Sequence, residues 1–258
     1  MNGQKAYLKT FANTLKTQPY YAAVMVEGDG GKVSSGSDVL DRLLGGGYEK
    51  DVVATIYGPA GSGKTTACLM ASVSVAMQGK KVIYMDTEGG FSAVRLGQLC
   101  REAGKVLPNV LFLKPTTFDE QKKCIGHLRS MISQKIGLVV VDTITNLYRA
   151  ERADDNSELN RELSKQIAFL VEVARQKSIP VLLTNQVYAD FEDRKSVKMV
   201  GGDIITYNSK CLIELKPLHG SKRAALLQKH RHLPQNEVLF EIVSDGFAEV
   251  KDKGFRLF

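Results

Sequence analysis

Short apolar runs alternate with amphipathic stretches through most of this chain. Val52–Tyr57, Lys81–Met85, Val110–Leu113, Gly137–Asp142 and Ile179–Thr184 carry no clean polar face. Runs of that kind predict strands covered on both sides. Between them, Lys64 to about Met77 predicts a helix closed by Gly79, and Phe91–Ala103 a helix with Gly104 at its C-terminal cap. Asp119–Ser133 is amphipathic, and Ser157–Lys177 places Leu159, Leu163, Ile167, Leu170, Val171 and Ala174 at helical period. Strands separated by crossover helices predict a mostly parallel sheet with helices on both faces. Toward the C-terminus the pattern shifts to shorter strands, Cys211–Leu215, Arg223–Lys229 and Val238–Val243, joined by Gly, Pro and His turns. These predict an antiparallel extension at one sheet edge. Residues 1–33 stand apart, with weak helical spacing (Leu8, Phe11, Leu15), Pro19 and then Gly28-Asp29-Gly30-Gly31. They predict a short N-terminal arm or helix before a core at 34–258.

Composition narrows this only a little. The chain has 258 residues, with 43% hydrophobic and 24% charged, which is ordinary for a folded domain. A core of this size needs no disulfide or metal staple. Cys68, Cys100, Cys124 and Cys211 lack any C-x-x-C spacing and read as reduced thiols of a cytoplasmic chain. No apolar run reaches the ~18 residues of a membrane span, and the lysines near the N-terminus precede no apolar core of a signal. The net charge of +7 favours a polyanionic partner without specifying one.

The chemistry concentrates at strand ends. Gly58-Pro59-Ala60-Gly61-Ser62-Gly63-Lys64-Thr65 fits G-x-x-x-x-G-K-[ST] between a buried strand and a helix. Its glycines let the amides of Gly61, Gly63, Lys64 and Thr65 converge on phosphate oxygens, assisted by the helix N-terminus. Lys64 supplies mobile positive charge, Thr65 a hydroxyl for Mg²⁺, and Thr66 continues the helix start. The expected ligand is ATP with Mg²⁺. Asp142 ends the most apolar strand, where a carboxylate orients the metal's water; the alternative is an acidic N-cap. Glu88, in Asp86-Thr87-Glu88, ends a neighbouring strand and suits activation of the attacking water; the alternative is a solvated loop carboxylate. Gln186, after Val181–Asn185, suits a γ-phosphate sensor.

Together these segments resemble the RecA-type recombinase ATPases, and most closely the archaeal RadB branch of that family. Asp86-Thr87-Glu88-Gly89-Gly90-Phe91, Thr184-Asn185-Gln186-Val187, Gly201-Gly202-Asp203 and the lead-in Ser35–Gly47 carry the likeness, which spans Ser34 to about Val250. The resemblance implies a RecA-like core and maps a water-activating glutamate to Glu88 and an adenine-stacking position to Arg95. Arg161 falls in the segment after the family's first DNA loop. Lys229 and Arg231, in Lys229-His230-Arg231-His232, occupy positions where the family's cations act on a neighbour's γ-phosphate or on DNA. A Lys-x-Arg spacing on a strand would put both cations on one face; a solvated hairpin face is the alternative. The resemblance also implies DNA binding, single-stranded and branched, weak ATP hydrolysis and little or no strand exchange. Its implied partners are the main recombinase, a junction-processing nuclease and further copies of the chain.

Departures qualify the likeness, among them Lys229-His230-Arg231-His232 in place of the acidic stretch of the main recombinase. The family's helix-hairpin-helix domain and polymerisation motif have no convincing counterpart in residues 1–33. Position 51 is Asp where the family usually has Gly. The second DNA loop, expected over Val187–Gly202, offers Arg194, Lys195 and Lys198 with Tyr188 and Phe191, but Asp190, Glu192 and Asp193 dilute its charge. A mobile polar loop is the alternative there. A competing reading of the whole chain is a KaiC-like regulatory ATPase that binds protein partners and no DNA.

Overall fold

The computed structural model describes residues 31–189 and 197–250. Most of the arm, Asp190–Ser196 and the last eight residues lie outside the described residues. The described compact unit starts at Lys32. Its strands are β1 (Lys32–Val33), β2 (Tyr48–Glu49), β3 (Val53–Gly58), β4 (Lys81–Asp86), β5 (Val110–Leu113) and β6 (Ile136–Asp142). They continue with β7 (Val181–Ala189), β8 (Val197–Met199), β9 (Cys211–Pro217), β10 (Lys222–Lys229), β11 (Asn236–Val243) and β12 (Gly246–Glu249). The helices are α1 (Asp38–Leu43), α2 (Lys64–Met77), α3 (Ala93–Leu99), α4 (Ala103–Val106), α5 (Phe118–Met131), α6 (Asn146–Ala150), α7 (Ser157–Lys177) and α8 (Gly202–Asn208).

The strands β1 and β2 form a small ribbon, and the others join one sheet in the order β12-β11-β10-β9-β3-β7-β6-β4-β5, with β8 on β7. From β9 through β5 every neighbour is parallel; β10, β11 and β12 continue antiparallel. Alternation along the parallel strands divides the core in two. Ala54, Ile56, Val82, Tyr84, Leu138, Val140 and Leu182 face one side with α2. Val53, Ile83, Met85, Val139, Val141, Val181 and Leu183 face the other, with α5 and α7. Successive side chains of a strand point to opposite faces, so a run apolar at every position needs a helix layer on each side. That sandwich aligns the C-terminal ends of β3, β4, β6 and β7, where the candidate chemistry lies.

Four expectations are corrected. Cys211–Pro217 is antiparallel to β10 but parallel to β3, so the parallel sheet is one strand wider than the pattern predicts. The helix expected at Phe91–Ala103 is two, separated by extended Cys100, and Gly104 lies inside the second rather than capping the first. Leu96 is buried in the first piece and Val106 in the second. The loop expected from Val187 begins as strand, because β7 runs on to Ala189 and β8 folds back on it. Finally, β10 ends at Lys229, which leaves Arg231 in the following turn rather than on a shared strand face.

Candidate nucleotide site

The loop after β3 is shaped by its glycines. Gly61 and Gly63 have φ of 72° and 110°, in the left-handed region that glycine enters without penalty. A Cβ on Gly58 would lie 2.3 Å from the Leu215 carbonyl oxygen, and one on Gly63 within 3.0 Å of Ile242 Cδ1 and 3.1 Å of Phe247 Cζ. Lys64 is buried, and its Nζ folds back to donate to the carbonyls of Gly58 and Pro59, both at 2.9 Å. Burial holds its ammonium below the usual lysine range, partly offset by the carboxylates of Glu88 and Asp142. The Ser62 hydroxyl is fully buried with no hydrogen-bond partner. A concave backbone nest, an ammonium resting on neutral carbonyls and an orphaned buried hydroxyl together fit a polyphosphate, since all three gain acceptors when one enters. Thr65 and Thr66 are half-buried in the first turn of α2, and a Cβ on Gly90 would lie 3.6 Å from Thr65 Oγ1. That closeness sets the Thr65 hydroxyl against the loop that carries Glu88.

Paired strands bring the carboxylates alongside. Asp86 and Asp142 are register partners at the ends of β4 and β6. Asp142 is buried and accepts from Tyr84 OH at 2.9 Å and from Thr184 Oγ1 at 2.5 Å. It caps no helix, so the N-cap alternative falls: α6 begins only at Asn146, after Thr145. Asp86 takes the shaping role instead, accepting from the amides of Glu88, Gly90 and Phe91. The loop so folded presents Glu88, exposed, with Oε1 accepting from Thr143 Oγ1 at 3.0 Å and from Gln186 Nε2 at 2.7 Å. Gln186 Oε1 in turn accepts from Arg149 Nη1 at 3.1 Å. The amide orientation follows from chemistry, since a carboxylate only accepts and a guanidinium only donates.

The end of β7, which carries Gln186, is also tied to the start of the segment after β8. Asn185 donates to the Val200 carbonyl and accepts from Thr145 Oγ1, and the Gln186 carbonyl accepts from the Val200 amide at 3.3 Å. The amide of Gln186 and the root of the β7–β8 hairpin therefore share one hydrogen-bonded frame.

The remaining candidates scatter. Arg95 donates to the carbonyls of Val243 and Ser244 at 2.8 and 2.7 Å, on the hairpin whose Ile242 and Phe247 lie against Gly63. Arg161 is exposed on α7 and bonds Glu158. Lys198 is the register partner of Tyr188, while Arg194 and Lys195 lie outside the described residues. Lys229 pairs with Leu212, which pairs with Thr55, three residues before Gly58. It therefore lies about 10 Å back along the sheet and about 10 Å across it from the phosphate loop. Its Nζ donates to the Thr206 carbonyl at 2.7 Å. Arg231 pairs with Asp51 at 3.3 Å and Glu49 at 3.7 Å. Neither joins Glu88 and Gln186 in one chain. The cation that does reach the loop is Arg223, whose guanidinium donates to Gly61 O at 3.4 Å.

Comparison with known proteins closes the question of kinship. The Rad51 family model matches residues 31–250. The chain belongs to the Rad51 family. Within it, the DNA repair and recombination protein RadB of Methanococcoides burtonii is 40% identical over 80% of this chain and 93% of its own. RadB of Thermococcus sibiricus is 36% identical over 85% and 96%. The crystal structure of the RadB recombinase superposes with a TM-score of 0.74 at 38% identity, covering 85% of this chain and all of that one. The architecture of this Rad51-family chain is therefore the RecA-like recombinase fold. Among the described residues no helix is long and apolar enough to cross a membrane.

Sequence reasoning missed Arg149 and Thr143, and it gave no separate role to Thr184 or Arg223. A cation four residues after a loop threonine has no motif of its own, and only the fold reveals its partner. Asp51 holds a left-handed backbone (φ 66°) that glycine would adopt without penalty. Its carboxylate meanwhile accepts from Arg231.

Proposed function

We propose that this chain is an ATP- and DNA-binding accessory protein of homologous recombination and repair, with weak hydrolysis and little or no strand exchange. One observation carries the reading: Glu88, Gln186 and Arg149 form a continuous hydrogen-bonded chain beside the phosphate loop, and Gln186 shares its frame with the β7–β8 hairpin. The amides of Gly61, Gly63, Lys64 and Thr65 hold the phosphates, with Gly58, Pro59, Ala60 and Ser62 completing the loop. Thr65 and Asp142 would hold Mg²⁺, whose positive charge would offset the negative charge of the phosphate oxygens. Arg95 flanks the base. Glu88 orients the attacking water and accepts its proton, but Thr143 and Gln186 already occupy one of its oxygens, and that arrangement suits slow turnover. Gln186 leaves Glu88 when a γ-phosphate competes for its amide, and the change passes through Asn185 and Gln186 to the hairpin.

That hairpin, with Arg194, Lys195 and Lys198, and Arg161 on α7 are the DNA contacts in this reading. The compact unit that starts at Lys32 acts in the cytoplasm in this reading. The main recombinase, a junction-processing nuclease and further copies of the chain are its partners, and Lys229 and Arg231 then serve a neighbour's nucleotide or DNA. A titration of labelled single-stranded DNA at several salt concentrations, with and without ATP, tests the reading. Affinity should fall steeply with salt and rise with ATP. No binding at any salt would favour the KaiC-like alternative.

A further inference from the structure

The turn after β10 holds chemistry that neither nucleotide nor DNA binding uses. Glu49, at the end of β2, is a buried carboxylate. His232 Nδ1 lies 3.1 Å from its Oε1, and the rings of His230 and His232 meet edge to face at 4.8 Å. One ligand atom from each of Glu49, His230 and His232 lies within 4.8 Å of the others. Ligands at 2.0–2.2 Å from a tetrahedral ion sit about 3.4 Å apart, so the His232–Glu49 edge is nearly formed and His230 must close by at most about 1.4 Å. That movement exchanges backbone contacts for the ion, since His230 Nδ1 accepts from the amides of His232 and Leu233, at 3.4 and 3.2 Å.

The cations facing the cluster do not block it. Lys32, the register partner of Glu49, has its Nζ engaged by the carbonyls of Leu44 and Gly45. Arg231 holds Glu49 at 3.7 Å but Asp51 at 3.3 Å, so it keeps a carboxylate when Glu49 turns to an ion. Two imidazoles and one carboxylate select a borderline transition metal such as Zn²⁺ over Mg²⁺ or Ca²⁺, which prefer oxygen ligands.

We infer that Glu49, His230 and His232 form a Zn²⁺-type transition-metal site, remote from the phosphate loop, that pins the β10–β11 turn to β2. The fourth position is left to water, as in open three-ligand sites.

The test is a Co²⁺ titration of the untagged full-length chain, followed by visible d–d absorption and displacement by Zn²⁺. One ion should bind per chain with the spectrum of a tetrahedral nitrogen–oxygen site, and the imidazole NMR signals of His230 and His232 should shift. His232→Asn, at an exposed position, should fold normally and weaken binding at least about tenfold, the lower bound for loss of even an outer-shell partner. Glu49→Gln should do the same, and thermal unfolding without metal shows whether that variant is folded. Absence of saturable Co²⁺ binding, or binding that His232→Asn leaves unchanged, overturns the site.

Discussion

Replacing Lys64 by Met keeps the aliphatic stem and removes the charge, which separates nucleotide affinity from folding. The ammonium is buried and donates to two neutral carbonyls. Such charge-assisted bonds are worth about 1.5–3 kcal/mol net. A phosphate oxygen offers a full negative charge, and a unit pair at about 4 Å gains about 4 kcal/mol at an effective dielectric of 20. Exchanging one of the two carbonyls for a phosphate oxygen while keeping the other therefore favours nucleotide by about 1–2.5 kcal/mol, or ~5–70-fold in Kd. Folding responds differently. Burial lowers the lysine's pKa, so its charge opposes folding. Stability linked to this group is full above the free lysine value and declines as pH falls through the lowered one. At neutral pH the variant sheds that cost while losing the two carbonyl bonds, and its nucleotide-free unfolding midpoint should stay near the native one. Displacement of a fluorescent ATP analogue measures Kd, and thermal unfolding without nucleotide measures the midpoint. An unchanged Kd, or a loss of affinity matched by collapse of the midpoint, would refute the reasoning.

Three further substitutions probe the same region. Glu88→Gln should lower ATP turnover by about 100-fold or more while ATP affinity holds, as removal of a general base does; undiminished turnover would assign the water to another group. Arg149→Ala frees Gln186 Oε1 and should abolish the ATP-dependent increase in DNA affinity but not ATP binding; a persistent ATP effect in the titration would detach Arg149 from the sensor. Gly63→Ala forces a left-handed alanine whose Cβ meets Ile242 and Phe247, so urea unfolding should show a loss of about 1–3 kcal/mol.

The sheet and its helices were legible because a double-faced apolar run and a helical-period run each have one cheap solution. The phosphate loop was legible for a related reason: its glycines, lysine and threonine must be contiguous to surround one ligand. What escaped lies between segments far apart in sequence. Nothing near Arg149 announces Gln186, thirty-seven residues on. The break at extended Cys100 interrupts a stretch whose local pattern reads as one helix. Strand β12 is itself the sheet edge, short and paired only with β11, so its four residues carry little pattern of their own.

The opposite placement of Arg223 and Lys229 follows from strand direction alone. Because β10 runs antiparallel to β9, its first residues lie beside the phosphate loop and its last beside the start of β3. Arg223 therefore lies at the chain's own loop, where it donates to the Gly61 carbonyl beside Lys64. Lys229 cannot reach that loop, since a lysine side chain extends about 6 Å and the gap along and across the sheet is twice that or more. Any phosphate it meets must belong to another molecule. Yet Lys229 is engaged by the Thr206 carbonyl and Arg231 by two carboxylates, so an assembly that uses them must first detach them. Detachment of Arg231 leaves Glu49 and Asp51 without their cation, and a metal on Glu49 would supply half of the replacement. The same turn thus couples the proposed ion to the availability of Arg231 for a neighbour.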